Sequence, residues 1–250
     1  MRLVTSGIVL KTVKLSDSDV LITIFSDKHG KITAVAKGAR SAKSKLNASS
    51  QLFVHGEYSL SMGSKWNYVN AVEVHDSYYS IREDLEKLTY ASYFMELTSF
   101  VLPENTANLK LFSTLKNALE CLKENKCNGK FLKIIYELKC LDILGYRPET
   151  TRCIECGATA NLHFISVEEG GVLCENCAQN MNKGLKIGKK LARLMTLLLN
   201  EDTIKLCQLE INDFYVEKMD ILLNSYLKHH VGVKRFKSIE FLDTINFLKE

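Results

Sequence analysis

Four cysteines limit what this chain can fold into more than any other feature. Cys153-Ile154-Glu155-Cys156 and Cys174-Glu175-Asn176-Cys177 are two Cys-x-x-Cys pairs with seventeen residues between them, a spacing that predicts a four-thiolate zinc site. A two-residue spacer lets both sulfurs of a pair reach one ion at about 2.3 Å, and the intervening segment must fold back to deliver the second pair. Gly157, Gly170 and Gly171 ease that reversal. Two disulfides would be the competing reading, but the rest of the chain has no secretory character. Four thiolates leave no position for water and give the ion a net charge of about −2, so the expected zinc is structural rather than catalytic. His163 lies between the pairs, and with four cysteines present it is not needed as a ligand.

Charge is distributed unevenly around this knuckle. Residues 1–77 carry ten Lys and Arg against six Asp and Glu, and residues 78–152 eleven against ten. Residues 153–177 carry no base and four acids (Glu155, Glu168, Glu169 and Glu175), and residues 178–250 twelve bases against nine acids. An acidic knuckle repels phosphates, so any polyanion binding is expected in the flanking regions. The other four cysteines (Cys121, Cys127, Cys140 and Cys207) follow no framework pattern and read as reduced, space-filling residues. Lys11 and Lys14 interrupt the first apolar run, which argues against a signal peptide. Apolar runs such as Leu197-Leu198-Leu199 fall far short of a membrane span. A cytoplasmic location is expected.

Residues 1–77 read as an all-β module. Residues 7–13 and 19–25 alternate or are β-branched, and Asp27-Lys28-His29-Gly30 turns the chain into a third strand over residues 31–36. A fourth strand fits residues 52–61. The fifth would place Trp66, Tyr68, Val72 and Val74 on one face, with Val69 and Ala71 between the polar positions of the other. Five short strands with a longer excursion after the third predict an OB-type barrel, with an SH3-like barrel as the alternative.

That excursion, residues 37–45, contains Lys37, Arg40, Lys43 and Lys45, no acid, and otherwise only small residues. Each base can neutralise a phosphate, and small residues let the backbone come close. A solvated loop without a ligand is the plainer reading. The aromatic residues of the module fit the core better than a base-stacking surface.

From Ser80 the pattern becomes helical, with Ser80-x-x-Glu83 reading as a capping box and apolar residues recurring from Ile81 to Leu102 before Pro103. Further helices are expected over residues 108–123 and 131–145, then 186–199, 213–229 and 238–248. The first helix after the knuckle is basic. With Lys183 and Lys186 ahead of it, Lys189, Lys190 and Arg193 make a second candidate DNA surface. The fold class is therefore α+β, with a barrel over residues 1–77 and a helical domain over 78–250 interrupted by a zinc knuckle at 150–180. No Walker loop, G-x-G-x-x-G or G-x-S-x-G is present, so nothing in the sequence seats an enzyme.

The chain resembles the RecO family of bacterial DNA repair proteins. The resemblance lies in Gly7-Ile8-Val9-Leu10-Lys11 with Ser18-Asp19-Val20-Leu21-Ile22-Thr23-Ile24-Phe25-Ser26, in Lys37-Gly38-Ala39-Arg40-Ser41-Ala42-Lys43-Ser44, and in Leu144-Gly145-Tyr146-Arg147-Pro148 running into Cys153. Ala42 stands where the family commonly has proline. The resemblance implies a non-enzymatic recombination mediator that binds single- and double-stranded DNA and anneals complementary strands. With RecR it would help load RecA onto strands coated by single-strand-binding protein, acting at the nucleoid. Two other functions fit the residues: a zinc-containing scaffold whose basic surfaces meet acidic protein segments, and a zinc-ribbon transcription or translation factor. The acidic knuckle argues against the latter.

Overall fold

Residues 1–181, 184–233, 236–241 and 244 are described by the structure, a computed structural model. The chain divides into two compact units, one formed by residues 1–119 with the segment from Phe236 onward, the other by residues 120–235.

In the first unit β1 (Arg2–Lys14), β2 (Val20–Ser26), β3 (Gly30–Ala36), β4 (His55–Ser61) and β5 (Asn67–Asp76) close a barrel in the order β1-β2-β3-β5-β4. A short parallel pairing of Ala34 with Asn67 and Val35 with Tyr68 completes the ring, and the other pairings are antiparallel. A one-turn helix, α1 (Lys45–Ser49), occupies the β3–β4 connection. This is the OB order, and the SH3-like alternative falls away. Inward residues at period two, among them Val9, Ile22, Ile24, Ala34, Tyr58 and Leu60, fill the barrel. Gly30 ends the β2–β3 turn at φ 69°, and a Cβ there would lie 2.5 Å from the Thr106 carbonyl oxygen, so the position accepts little else.

The fifth strand differs from the expected alternation. Its register slips between Leu60↔Val69 and Ser59↔Ala71, and the extra residue moves the inward face from odd to even positions. Val69 is therefore buried and Val72 packs against the core, whereas Trp66 and Val74 are 37% and 44% exposed.

The expected helix from Ser80 is two helices, α2 (Tyr79–Glu83) and α3 (Leu85–Val101). Asp84 separates them and caps α3, its carboxylate accepting the amides of Glu86 at 2.9 Å and Lys87 at 3.1 Å. Ser80 therefore lies inside α2 and caps nothing, and Leu85 is exposed. Leu102-Pro103 ends α3 as anticipated. In α3, Glu96 accepts from the Ser238 hydroxyl at 2.6 Å, and Tyr93 and Phe100 meet Phe236 edge-on. Of the last expected helix, residues 238–241 are helical and the remainder lies mostly outside the described residues. Next in sequence is α4 (Leu109–Lys123).

The second unit is built on α5 (Gly129–Ile143), capped by Asn128 and closed by Gly145 at φ 83°. It packs against α7 (Gly188–Asn200), α8 (Thr203–Leu206) and α9 (Asp213–His230). Lys133 is buried on α5 and is held at 2.7 Å by both Glu137 and Asp220. Between α5 and α7 the knuckle contains elements not expected from sequence: β6 (Leu162–Ser166), β7 (Gly171–Cys174), helix α6 (Glu175–Met181) and β8 (Leu185–Lys186), with the sheet ordered β7-β6-β8. No helix among the described residues is long and apolar enough to cross a membrane.

Candidate metal centre and nucleic-acid interface

Each cysteine pair is placed by a different local device. After Cys153 the chain makes a tight turn in which the Gly157 amide donates to the Cys153 carbonyl at 2.9 Å. Gly157 adopts φ 73°, which only glycine takes without strain. Cys174 ends β7 and Cys177 lies in the first turn of α6. The turn is drawn onto the strand by the Ile154 amide, which donates to the Val172 carbonyl at 3.0 Å. The approach is close enough that a Cβ on Gly171 would come within 2.5 Å of Ile154 Cγ2.

The four Sγ atoms of Cys153, Cys156, Cys174 and Cys177 then lie within 4.8 Å of one another. Cys156 and Cys174 are 3.7 Å apart, close to the edge of about 3.8 Å in a tetrahedron with 2.3 Å metal–sulfur bonds. Burial works against ionisation of Cys153, but the backbone N–H groups of Cys156, Cys174 and Glu155 point at its sulfur and bring it down to about 6. Its neighbour Cys177 is pushed the other way, to about 12, by contact with the Cys156 and Cys174 sulfurs. Crowding of this kind, one thiolate favoured and the next opposed, is what a divalent cation relieves. The residues thus fit a tetrathiolate metal site. The expected acidity around them also holds, since Glu155, Glu168, Glu169 and Glu175 are all exposed. His163 is not part of the cluster.

The basic loop lies on the barrel and its backbone is fixed. Asp19 accepts the Gly38 amide at 2.8 Å, the Arg40 amide donates to the Ser18 carbonyl at 3.0 Å, and Asn47 donates to the Ala39 carbonyl at 2.8 Å. The Gly38 amide, with the Ser18 hydroxyl next, holds the Asp19 carboxyl below its usual range. Lys37 lies 4.6 Å over the Tyr68 ring. Arg40 donates to the Ser16 and Asp17 carbonyls at 3.2 and 3.1 Å, so it braces the loop. Lys43 and Lys45 are exposed and have no ion-pair partner among the described residues. Ser44 caps α1 through the Leu46 amide, which fixes where Lys45 leaves the surface.

The second basic group divides. Lys186, Lys189, Lys190 and Arg193 are all exposed, while Lys183 lies outside the described residues. Lys189 and Arg193, one helical turn apart, line a cleft of about 430 Å³ with His163 and Thr159. Sequence alone gave no sign of this cleft, because its opposite wall comes from the loop ahead of β6.

Comparison with known proteins covers nearly the whole chain. Residues 1–78 match the family model described as Recombination protein O N terminal, and residues 82–240 that described as Recombination protein O C terminal. A protein of Acetivibrio thermocellus named DNA repair protein RecO is 33% identical over 246 residues, 98% of either chain. Its namesake from Alkaliphilus metalliredigens is 33% identical over 246 residues, 98% of this chain and 100% of the other. A third, from Bacillus cereus, is 32% identical over 240 residues, 96% of each.

Proposed function

The chain belongs to the recombination protein O family, which supports a role in DNA repair and recombination, and from that premise we propose that it is a non-enzymatic recombination mediator. It binds single- and double-stranded DNA, anneals complementary strands, and with RecR helps load RecA onto strands coated by single-strand-binding protein. It does so in the cytoplasm, at the nucleoid. Residues 1–77 form the DNA-binding domain, and residues 78–250 a helical domain with its knuckle at 150–180.

One observation carries this reading: an acid-free basic loop whose backbone is pinned to a closed barrel while Lys43 and Lys45 point into solvent. Pinning lowers the entropy lost when the loop meets a phosphate backbone. Two strands held on such a surface repel each other less, which favours nucleation of pairing. Within the loop, Lys37, Lys43 and Lys45 contact phosphate, and Arg40 contributes mainly by holding the loop in place. Cys153, Cys156, Cys174 and Cys177 would hold one Zn²⁺, which supplies a crosslink and no reaction.

Replacing Lys37, Arg40, Lys43 and Lys45 by Ala lowers DNA affinity and flattens its dependence on salt, by about 0.7–0.9 in log–log slope for each phosphate no longer neutralised. Unchanged affinity and slope would move the DNA surface to Lys186, Lys189, Lys190 and Arg193. Binding of an acidic peptide in place of oligonucleotide would favour the scaffold. Annealing of complementary labelled oligonucleotides, with and without single-strand-binding protein, tests the activity itself, and a rate no faster than without protein overturns it.

A further inference from the structure

Three of the cysteines outside the knuckle come together in the second unit. Cys121 lies in the last turn of α4, Cys127 in the turn ahead of α5, and Cys207 follows α8. Cys207 stands between the other two. Its sulfur is 2.6 Å from that of Cys127, well inside van der Waals contact, and it also contacts Cys121. Cys121 and Cys207 are buried, but Cys127 is only half-buried. Cys127 and Cys207 together line an open cleft of about 710 Å³ that also contains Lys126.

We propose that Cys127 and Cys207 form a reversible disulfide when the protein meets a low-molecular-weight disulfide, so that this cleft carries a thiol–disulfide modification site separate from the knuckle. Accessibility sets the order of events. The Cys127 thiolate attacks one sulfur of the small disulfide, making a mixed disulfide and releasing one small thiolate. Cys207 then loses its proton to solvent and attacks the Cys127 sulfur, expelling the second small thiolate. Two protein thiols are oxidised and one small disulfide is reduced to two thiols.

Cys207 is poorly suited to react first. Its contact with Cys121 favours the thiolate, but contact with Cys127 and burial outweigh this and push it up to about 12. Cys121 is held higher still, by its contact with Cys207 and by burial, and stays a thiol behind it. The resulting bond joins the turn ahead of α5 to the turn after α8. A thiol reductant reverses it, because the Cys127 side opens onto the cleft.

The test uses the full-length, metal-loaded protein incubated with oxidised glutathione, alkylated, and digested with trypsin. Lys and Arg positions place Cys121, Cys127 and Cys207 on three different peptides. The expected product links the Cys127 peptide to the Cys207 peptide, loses two hydrogens overall and keeps its metal. Cys121→Ser retains the link. Cys207→Ser, with its circular dichroism unchanged, stops at the glutathione adduct on Cys127. A persistent adduct on Cys127 with Cys207 free in the unmodified sequence overturns the proposal. So does oxidation confined to Cys153, Cys156, Cys174 and Cys177, or a link between Cys121 and Cys207.

Discussion

The barrel and the knuckle are both small β structures, yet they hold together differently. Twelve buried residues form the barrel core, and every strand is paired on both sides. In the knuckle the corresponding cluster is Cys153, Leu173, Cys174 and Ala178, of which two belong to the candidate metal site. The barrel closes on itself through hydrogen bonds and apolar contact, whereas the knuckle's smaller apolar cluster would leave a bound ion to supply more of its folding free energy. Their surfaces differ in sign as well, with bases on the barrel loop and carboxylates on the knuckle. Cysteine spacing alone suggests a nucleic-acid-binding finger; charge and core size together favour a brace, in keeping with the proposed placing of DNA on the barrel.

The largest effect should come from removing the metal. Chelation, or Cys153→Ser, abolishes amide-exchange protection at Ile165, Val172 and Leu173, because metal binding supplies most of the folding free energy of such a module, about 10–16 kcal/mol in isolated zinc fingers. Protection at Ile22, Ile24 and Ile32 remains. Equal loss in both regions would break the contrast. A smaller cost comes from Gly171→Ala, which drives a methyl into Ile154 and the Glu149 carbonyl. It destabilises the metal-loaded knuckle by about 1–3 kcal/mol, read as a lower metal-release midpoint in a chelator titration with barrel unfolding unchanged.

On the barrel side, Tyr58→Phe removes a buried hydroxyl that donates to the Ser49 and Val54 carbonyls at 3.2 Å. Denaturant unfolding of the first unit should show a loss of about 1 kcal/mol, without change in metal content. A further effect concerns pH. Burial above all, then the nearby Lys116, holds the His55 imidazole down to about 4. The unfolded chain, at an ordinary 6.5, takes up a proton that the folded barrel refuses. Barrel stability therefore declines as pH falls from about 6.5 toward 4, and His55→Gln flattens that slope. A slope that survives the substitution assigns it to other groups.

Much of this was legible in the residues, for reasons that differ by region. Strands β1 to β3 show because they alternate and because Asp27-Lys28-His29-Gly30 marks their turn. Register slippage at Asn70 is invisible to a period-two reading, and so the faces of β5 are reversed along part of its length. Asp84 hides a helix break because an acid near a helix start fits a continuous helix equally well. All four cysteines of the candidate metal site can be read from spacing, since each pair is local. The short strands between them cannot, being too brief for alternation to show. The contacts of Arg40 with the Ser16–Asp17 carbonyls, and the meeting of Cys121, Cys127 and Cys207, depend on segments distant in sequence. Chain order carries no trace of either.

The first unit gathers the start of the chain and the segment from Phe236 onward, where Phe236 and Ser238 meet Tyr93, Phe100 and Glu96. During synthesis those partners on α3 leave the ribosome long before Phe236 does. At ordinary elongation rates the delay is on the order of ten seconds. Through that interval α3 presents unsatisfied aromatic surface while the second unit is still being made. A nascent chain stalled before residue 236 should therefore carry a finished barrel beside an unfinished helix face, the place where a chaperone or a wrong neighbour would first take hold.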